Sequence, residues 1–61
     1  MKDFVCLFFD ADGIVRATDT IVAELLDDAA EKAHALLDIM TSLDRLELWS
    51  DGKRVYSSRR R

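Results

Sequence analysis

Two aspartate-glycine pairs, Asp12-Gly13 and Asp51-Gly52, each stand between apolar runs, and nothing else in the 61 residues constrains the fold so strongly. Such a pair between strand-like runs is the strongest short-range signal for a β-hairpin. Glycine enters the left-handed backbone region without steric cost, so each pair can reverse the chain. There is no proline, and no Gly/Ser-rich stretch marks a linker or second domain.

In the second hairpin, Asp51-Gly52 fits a two-residue type I′ loop, which sets Ser50 opposite Lys53, Trp49 opposite Arg54, Leu48 opposite Val55 and Glu47 opposite Tyr56. Leu46, Leu48 and Val55 then share a core face. Glu47, Trp49, Arg54 and Tyr56 share the other, with Arg54 placed to stack on Trp49, and this second set is the candidate interaction surface. In the first hairpin, Asp10-Ala11-Asp12-Gly13 matches a type I turn with a G1 bulge, placing Asp10 opposite Ile14. On that register Val5, Leu7 and Phe9 face the same way as Val15 and Ala17, while Phe4, Cys6 and Phe8 point oppositely beside Arg16 and Thr18. A two-residue loop would shift the pairing.

Between the hairpins, Val22, Leu26, Ala29, Ala33, Leu36 and Met40 recur at helical spacing, with Leu25, Ala30 and Leu37 widening the stripe. The spacing predicts a helix over 28–40 with an open start: Asp28 with Glu31 makes a capping-box variant, whereas Thr20 would cap an earlier beginning. The expected fold is α+β, a four-stranded, mainly antiparallel sheet in the order β-β-α-β-β with one helix on one face. Residues 1–58 form one domain, and 59–61 form a basic C-terminal tail.

The first strand, Phe4 to Phe9, is apolar on both sides. One helix covers only one face of a sheet, so the other face is expected to meet a second subunit. Size points the same way. A domain this small buries only about 60% of its unfolded surface, and its single cysteine excludes an internal disulfide. The expected partner is therefore another copy, in a homodimer acting as a non-enzymatic interaction module. Cys6 reads as a small buried hydrophobe in a reducing, cytoplasmic setting. No run is long enough to span a membrane.

Charge is uneven along the chain. All twelve acids lie in residues 1–52 beside four basic residues, a net of -8, while Lys53, Arg54, Arg59, Arg60 and Arg61 give the remainder +5. An alternative role is thus a nucleic-acid or adaptor contact through Arg59, Arg60 and Arg61.

Three constellations bear on chemistry. The eight residues Phe8 to Val15 resemble the first motif of haloacid dehalogenase-like phosphohydrolases. That resemblance implies Asp10 as phosphoryl-accepting nucleophile and Asp12 as general acid and base, beside Mg²⁺. Ile14 replaces the family's threonine, and a hairpin turn uses the same letters. A calcium loop fails because Phe8 would occupy its first ligand position. Glu31 and His34 have the Glu-x-x-His spacing of di-iron bundles, although Asp27, Glu31, His34 and Asp38 also read as one solvated helix face, with Asp28 paired to Lys32 and His34 to Asp38. No cofactor and no catalytic residue is expected.

Across most of its length the chain resembles a group of small alphaproteobacterial proteins with no known activity. The shared letters are Phe8-Phe9-Asp10-Ala11-Asp12-Gly13, Ile14-Val15-Arg16, Asp27-Asp28-Ala29-Ala30, Ala33 to Leu37, and Leu46 to Trp49 through Gly52, Arg54 and Val55. The resemblance implies two hairpins and the later helix start.

Overall fold

The computed structural model describes residues 1–60. Strands β1 (Lys2–Phe9) and β2 (Val15–Ala23) precede helix α1 (Leu26–Ile39), and strands β3 (Arg45–Ser50) and β4 (Lys53–Arg59) follow it. The four strands make one antiparallel sheet in the order β2-β1-β3-β4. This is the expected α+β arrangement, with the helix on one face.

Both turns form as their chemistry requires. Asp51 and Gly52 have φ of 52° and 75°, the two positive angles of a type I′ loop. At the first turn, Gly13 has φ 81°, its N–H donates to the Asp10 carbonyl at 3.0 Å, and the Asp10 N–H donates to the Ile14 carbonyl at 3.0 Å. Asp10 thus opposes Ile14, as the turn type demands.

Beyond each turn the pairing departs from the simple register. Phe9 pairs with Val15 but Phe8 pairs with Ala17, so Arg16 is an extra residue in a bulge. Without it, Arg16, Thr18 and Thr20 would point beneath the helix. With it, Ala17, Ile21 and Ala23 join Phe4, Cys6 and Phe8 on the covered face, while Thr18 and Thr20 turn outward. The bulge keeps apolar residues in the core, because a one-residue slip exchanges the two faces of a strand. A second bulge follows Trp49–Arg54: Leu48 pairs with Tyr56 and Glu47 with Ser57. Val55 is consequently 39% exposed and contributes nothing to the core.

The helix takes the later start, and Thr20 to Ala23 extend β2. Its N-cap is Leu25, with no side-chain cap, so the Asp28–Glu31 capping box does not form. Asp27 and Asp28 lie in the first turn, where carboxylates favour the helix dipole. Lys32 donates to the Val22 carbonyl at 3.0 Å. The packed stripe is Ala29, Ala30, Ala33, His34 and Leu37. Three alanines bring the helix close to Phe4, Cys6, Phe8, Leu46 and Leu48, which complete the core with Ile21, Ala23 and Leu43.

His34 departs from the solvated face expected for it. It is 4% exposed, its Nε2 lies 3.0 Å from the Tyr56 hydroxyl, and the rings meet edge to face at 6.0 Å.

The helix exit is held from the far end of the sequence. The last turn of α1 contains no basic residue, but the two N–H groups of the Arg60 Nη2 are shared among the carbonyls of Leu37, Met40 and Leu43, at 2.9, 2.7 and 2.6 Å. Its Nε also reaches the Leu43 carbonyl, at 3.2 Å. The Arg60 N–H donates to the Asp44 carbonyl, and the Asp44 N–H donates to the Phe9 carbonyl. Arg59 ends β4 and Arg60 is built into the fold, which corrects the expectation of a basic C-terminal tail at these two positions. Arg61 lies outside the described residues.

Candidate functional site

The face of the sheet opposite α1 is set by the same registers. Cross-strand partners share a face, so the outer rows are Val15, Phe9, Arg45 and Arg59, then Thr18, Leu7, Glu47 and Ser57, then Thr20, Val5, Trp49 and Arg54, with Val22 and Asp3 at the foot. Val5 is 46% exposed, Val15 and Val22 are exposed, and Leu7 and Trp49 are half-buried. No described element lies over this face, because the contacts of α1 go to the other one. The premise that β1 is apolar on both sides therefore holds in three dimensions.

Glu47 organises the polar part. It is 7% exposed; its Oε2 accepts from Arg45 at 2.9 Å and from Arg54 at 3.4 Å, and its Oε1 accepts the Trp49 indole N–H at 3.1 Å. Desolvation pushes the carboxyl upward, but hydrogen bonds from Arg45, Trp49 and Arg54 outweigh it and hold the group below the ordinary glutamate value. The Arg45 guanidinium lies 3.8 Å above the Phe9 ring, which covers Phe9 from water.

Of the four surface residues read from the sequence, Glu47, Trp49 and Arg54 come together here. Tyr56 does not: the bulge at Val55 turns it beneath the helix onto His34. Arg54 goes to the Glu47 carboxylate, whereas a stack on Trp49 was expected. Arg45 was missed, although its alternation with Glu47 and Trp49 was readable. Position 59 also belongs to this face, opposite Arg45.

The Asp10 and Asp12 motif is a turn in structural terms. Asp10 Oδ1 accepts from the N–H groups of Asp12 and Ile14 at 2.9 and 3.0 Å, and Oδ2 accepts from the Arg16 Nε at 2.7 Å. The Arg16 hydrogen bond, and after it the backbone bonds, hold this carboxyl below the usual aspartate value. Glu31 lies at a shallow depression of about 350 Å³ with Met1, Val22, Ala23, Glu24, Asp28 and Lys32, apart from the His34–Tyr56 contact. Among the described residues, no group of three or more His, Cys, Asp or Glu is placed to hold a metal ion. Cys6 is fully buried; burial, and after it the Asp19 carboxylate, push its thiol up to about 12.

Depressed folded values for Asp10 and Glu47 stabilise the fold above the unfolded carboxylate range, about pH 4. That contribution is lost as the pH falls through the lower folded values. Urea unfolding at pH 7, 5, 4 and 3 is expected to show stability falling below about pH 4, with a shallower fall for Glu47→Gln. An equally steep fall in that variant would remove Glu47 from the explanation.

Fold and face together define a small β-β-α-β-β domain with one sheet face under its helix and the other open and partly apolar. Neither family models, curated proteins nor solved structures match the chain. No helix among the described residues is long and apolar enough to cross a membrane.

Proposed function

We propose that this chain is a non-enzymatic, self-associating interaction module whose open sheet face docks on a second copy. The observation that carries the reading is the outer row of β1, where Val5, Leu7 and Phe9 lie opposite the core residues Phe4, Cys6 and Phe8. Val5, Leu7, Trp49, Val15 and Val22 make an apolar surface interrupted by hydroxyls and the Glu47 network, with Asp3 and Arg59 at its ends. A domain that gains little from its own core gains most by covering such a surface.

The dimensions suit a modest dimer. The two larger extents, 31 by 21 Å, bound the sheet face. They project to about 650 Å² per copy, or about 1,300 Å² for the pair, the lower end of specific interfaces. Affinity at an interface of that size is set by how well its anchors are covered, Trp49 among them.

Light scattering during size exclusion at tens of micromolar is expected to give a dimer that Val5→Lys converts to a folded monomer. Tyr56→Phe, on the other face, is expected to leave association unchanged. A folded wild-type protein that stays monomeric at that concentration removes the proposal.

A further inference from the structure

The open face is polarised, and the polarity selects one way of stacking two copies. Its arginines, Arg45, Arg54 and Arg59, all lie on β3 and β4. The β1 and β2 half presents Val5, Leu7, Thr18, Thr20 and Val22, with Asp3 at its foot. Arg45 and Arg59 are direct cross-strand neighbours, a like-charge pair that destabilises a sheet unless each cation finds an anion. Arg45 has Glu47 and the Phe9 ring. Arg59, exposed at the end of β4, lies level with the β1–β2 turn, where Asp12 is exposed while Asp10 already holds Arg16.

Two sheets packing face to face keep their strands within about 30° of alignment. A two-fold axis across the strands lays β4 over β4 and brings Arg59 of one copy over Arg54 of the other. An axis along the strands instead lays β4 over β2. Each arginine-bearing half then meets a half with hydroxyl and aliphatic side chains, Val5 meets Trp49, Thr18 meets Ser57, and Asp12 comes over Arg59. The arginines of the two faces separate and opposite charges approach at Asp12 and Arg59, while Asp3 comes over the Asp51–Gly52 turn.

Resting on the self-association reading, we infer that two copies stack with the two-fold axis along their strands, so that Asp12 of each pairs with Arg59 of the other. The same contact makes the dimer sensitive to salt, because exposed ion pairs are screened.

Thr18→Cys and Ser57→Cys, both at exposed positions, test the geometry under mild oxidation in the presence of the buried Cys6. Mixing the two variants is expected to give the mixed disulfide dimer several-fold faster than either variant links to itself. Asp12→Arg and Arg59→Asp are each expected to weaken dimerisation by about threefold to tenfold, the scale of the two symmetry-related exposed ion pairs that each change removes, and the double exchange to restore it. Faster Thr18→Cys self-linking, or no rescue by the double exchange in a protein that still dimerises, overturns the orientation and leaves self-association standing. A monomer throughout overturns both.

Discussion

Replacing Phe8 by alanine is expected to remove about 3–5 kcal/mol of stability, the usual cost of emptying a buried phenylalanine site. A domain of this size has about 3–5 kcal/mol in total, so the variant is expected to be largely unfolded at 25 °C. Phe8 is 1% exposed, and Cys6, Leu46, Leu48, Ala33 and Leu37 belong to the same cluster. The core is one residue layer deep between helix and sheet. Phe8→Leu, which keeps much of the volume, is expected to cost about 1–1.5 kcal/mol and to fold, so the site can be measured even if the alanine variant cannot. The neighbouring Phe9→Ala is the informative contrast. Its ring lies on the open face under Arg45, where a flexible guanidinium can settle and water can enter, so its loss should be smaller than that of Phe8. Chemical denaturation of the three variants decides the matter: a larger loss at Phe9 than at Phe8 would mean that the helix does not cover the face assigned to it.

Arg60→Ala is expected to cost about 2 kcal/mol, from charge-assisted hydrogen bonds and the favourable placement of a cation at a helix C-terminus. Three carbonyls, those of Leu37, Met40 and Leu43, converge on one Nη2 between the end of α1 and the start of β3. In a chain this short such a loss lowers the melting temperature by about 10 °C. Lysine supplies the charge but not the planar fork that reaches several acceptors, so Arg60→Lys should recover only part. Amide exchange adds a readout of position: faster exchange at Met40 and Leu43 is expected before any change in the first hairpin. Melting within about 2 °C of wild type, with unaltered exchange at the helix exit, would show that the clasp contributes nothing.

Much of the architecture was legible one level above the residue. Asp-Gly chemistry located both turns and the first pairs beyond each, and the apolar spacing of Ala29, Ala33 and Leu37 located the helix. Harder to read were the bulges at Arg16 and Val55. A turn fixes only the residues nearest to it, and the remainder of a strand settles by whichever register buries the most apolar surface. Tyr56 shows the consequence: one extra residue in β4 carried it from the expected surface to a half-buried position against the core, beside a histidine also expected in solvent. His34 alone looks polar. It is buried because its ring can meet Tyr56, 22 residues away, and no local pattern records that partner.

By itself the sequence determined the two hairpins, the helix, the α+β class and the presence of a first strand with two apolar sides, because turn geometry and side-chain periodicity act over a few residues. Only the tertiary structure decided which side of that strand the helix would cover, that β1 and β3 would be neighbours, that Glu47 would gather Arg45, Trp49 and Arg54, and that Arg60 would close the helix. Those outcomes depend on contacts between residues remote in the chain, whose energies exist only once the sheet has brought them together.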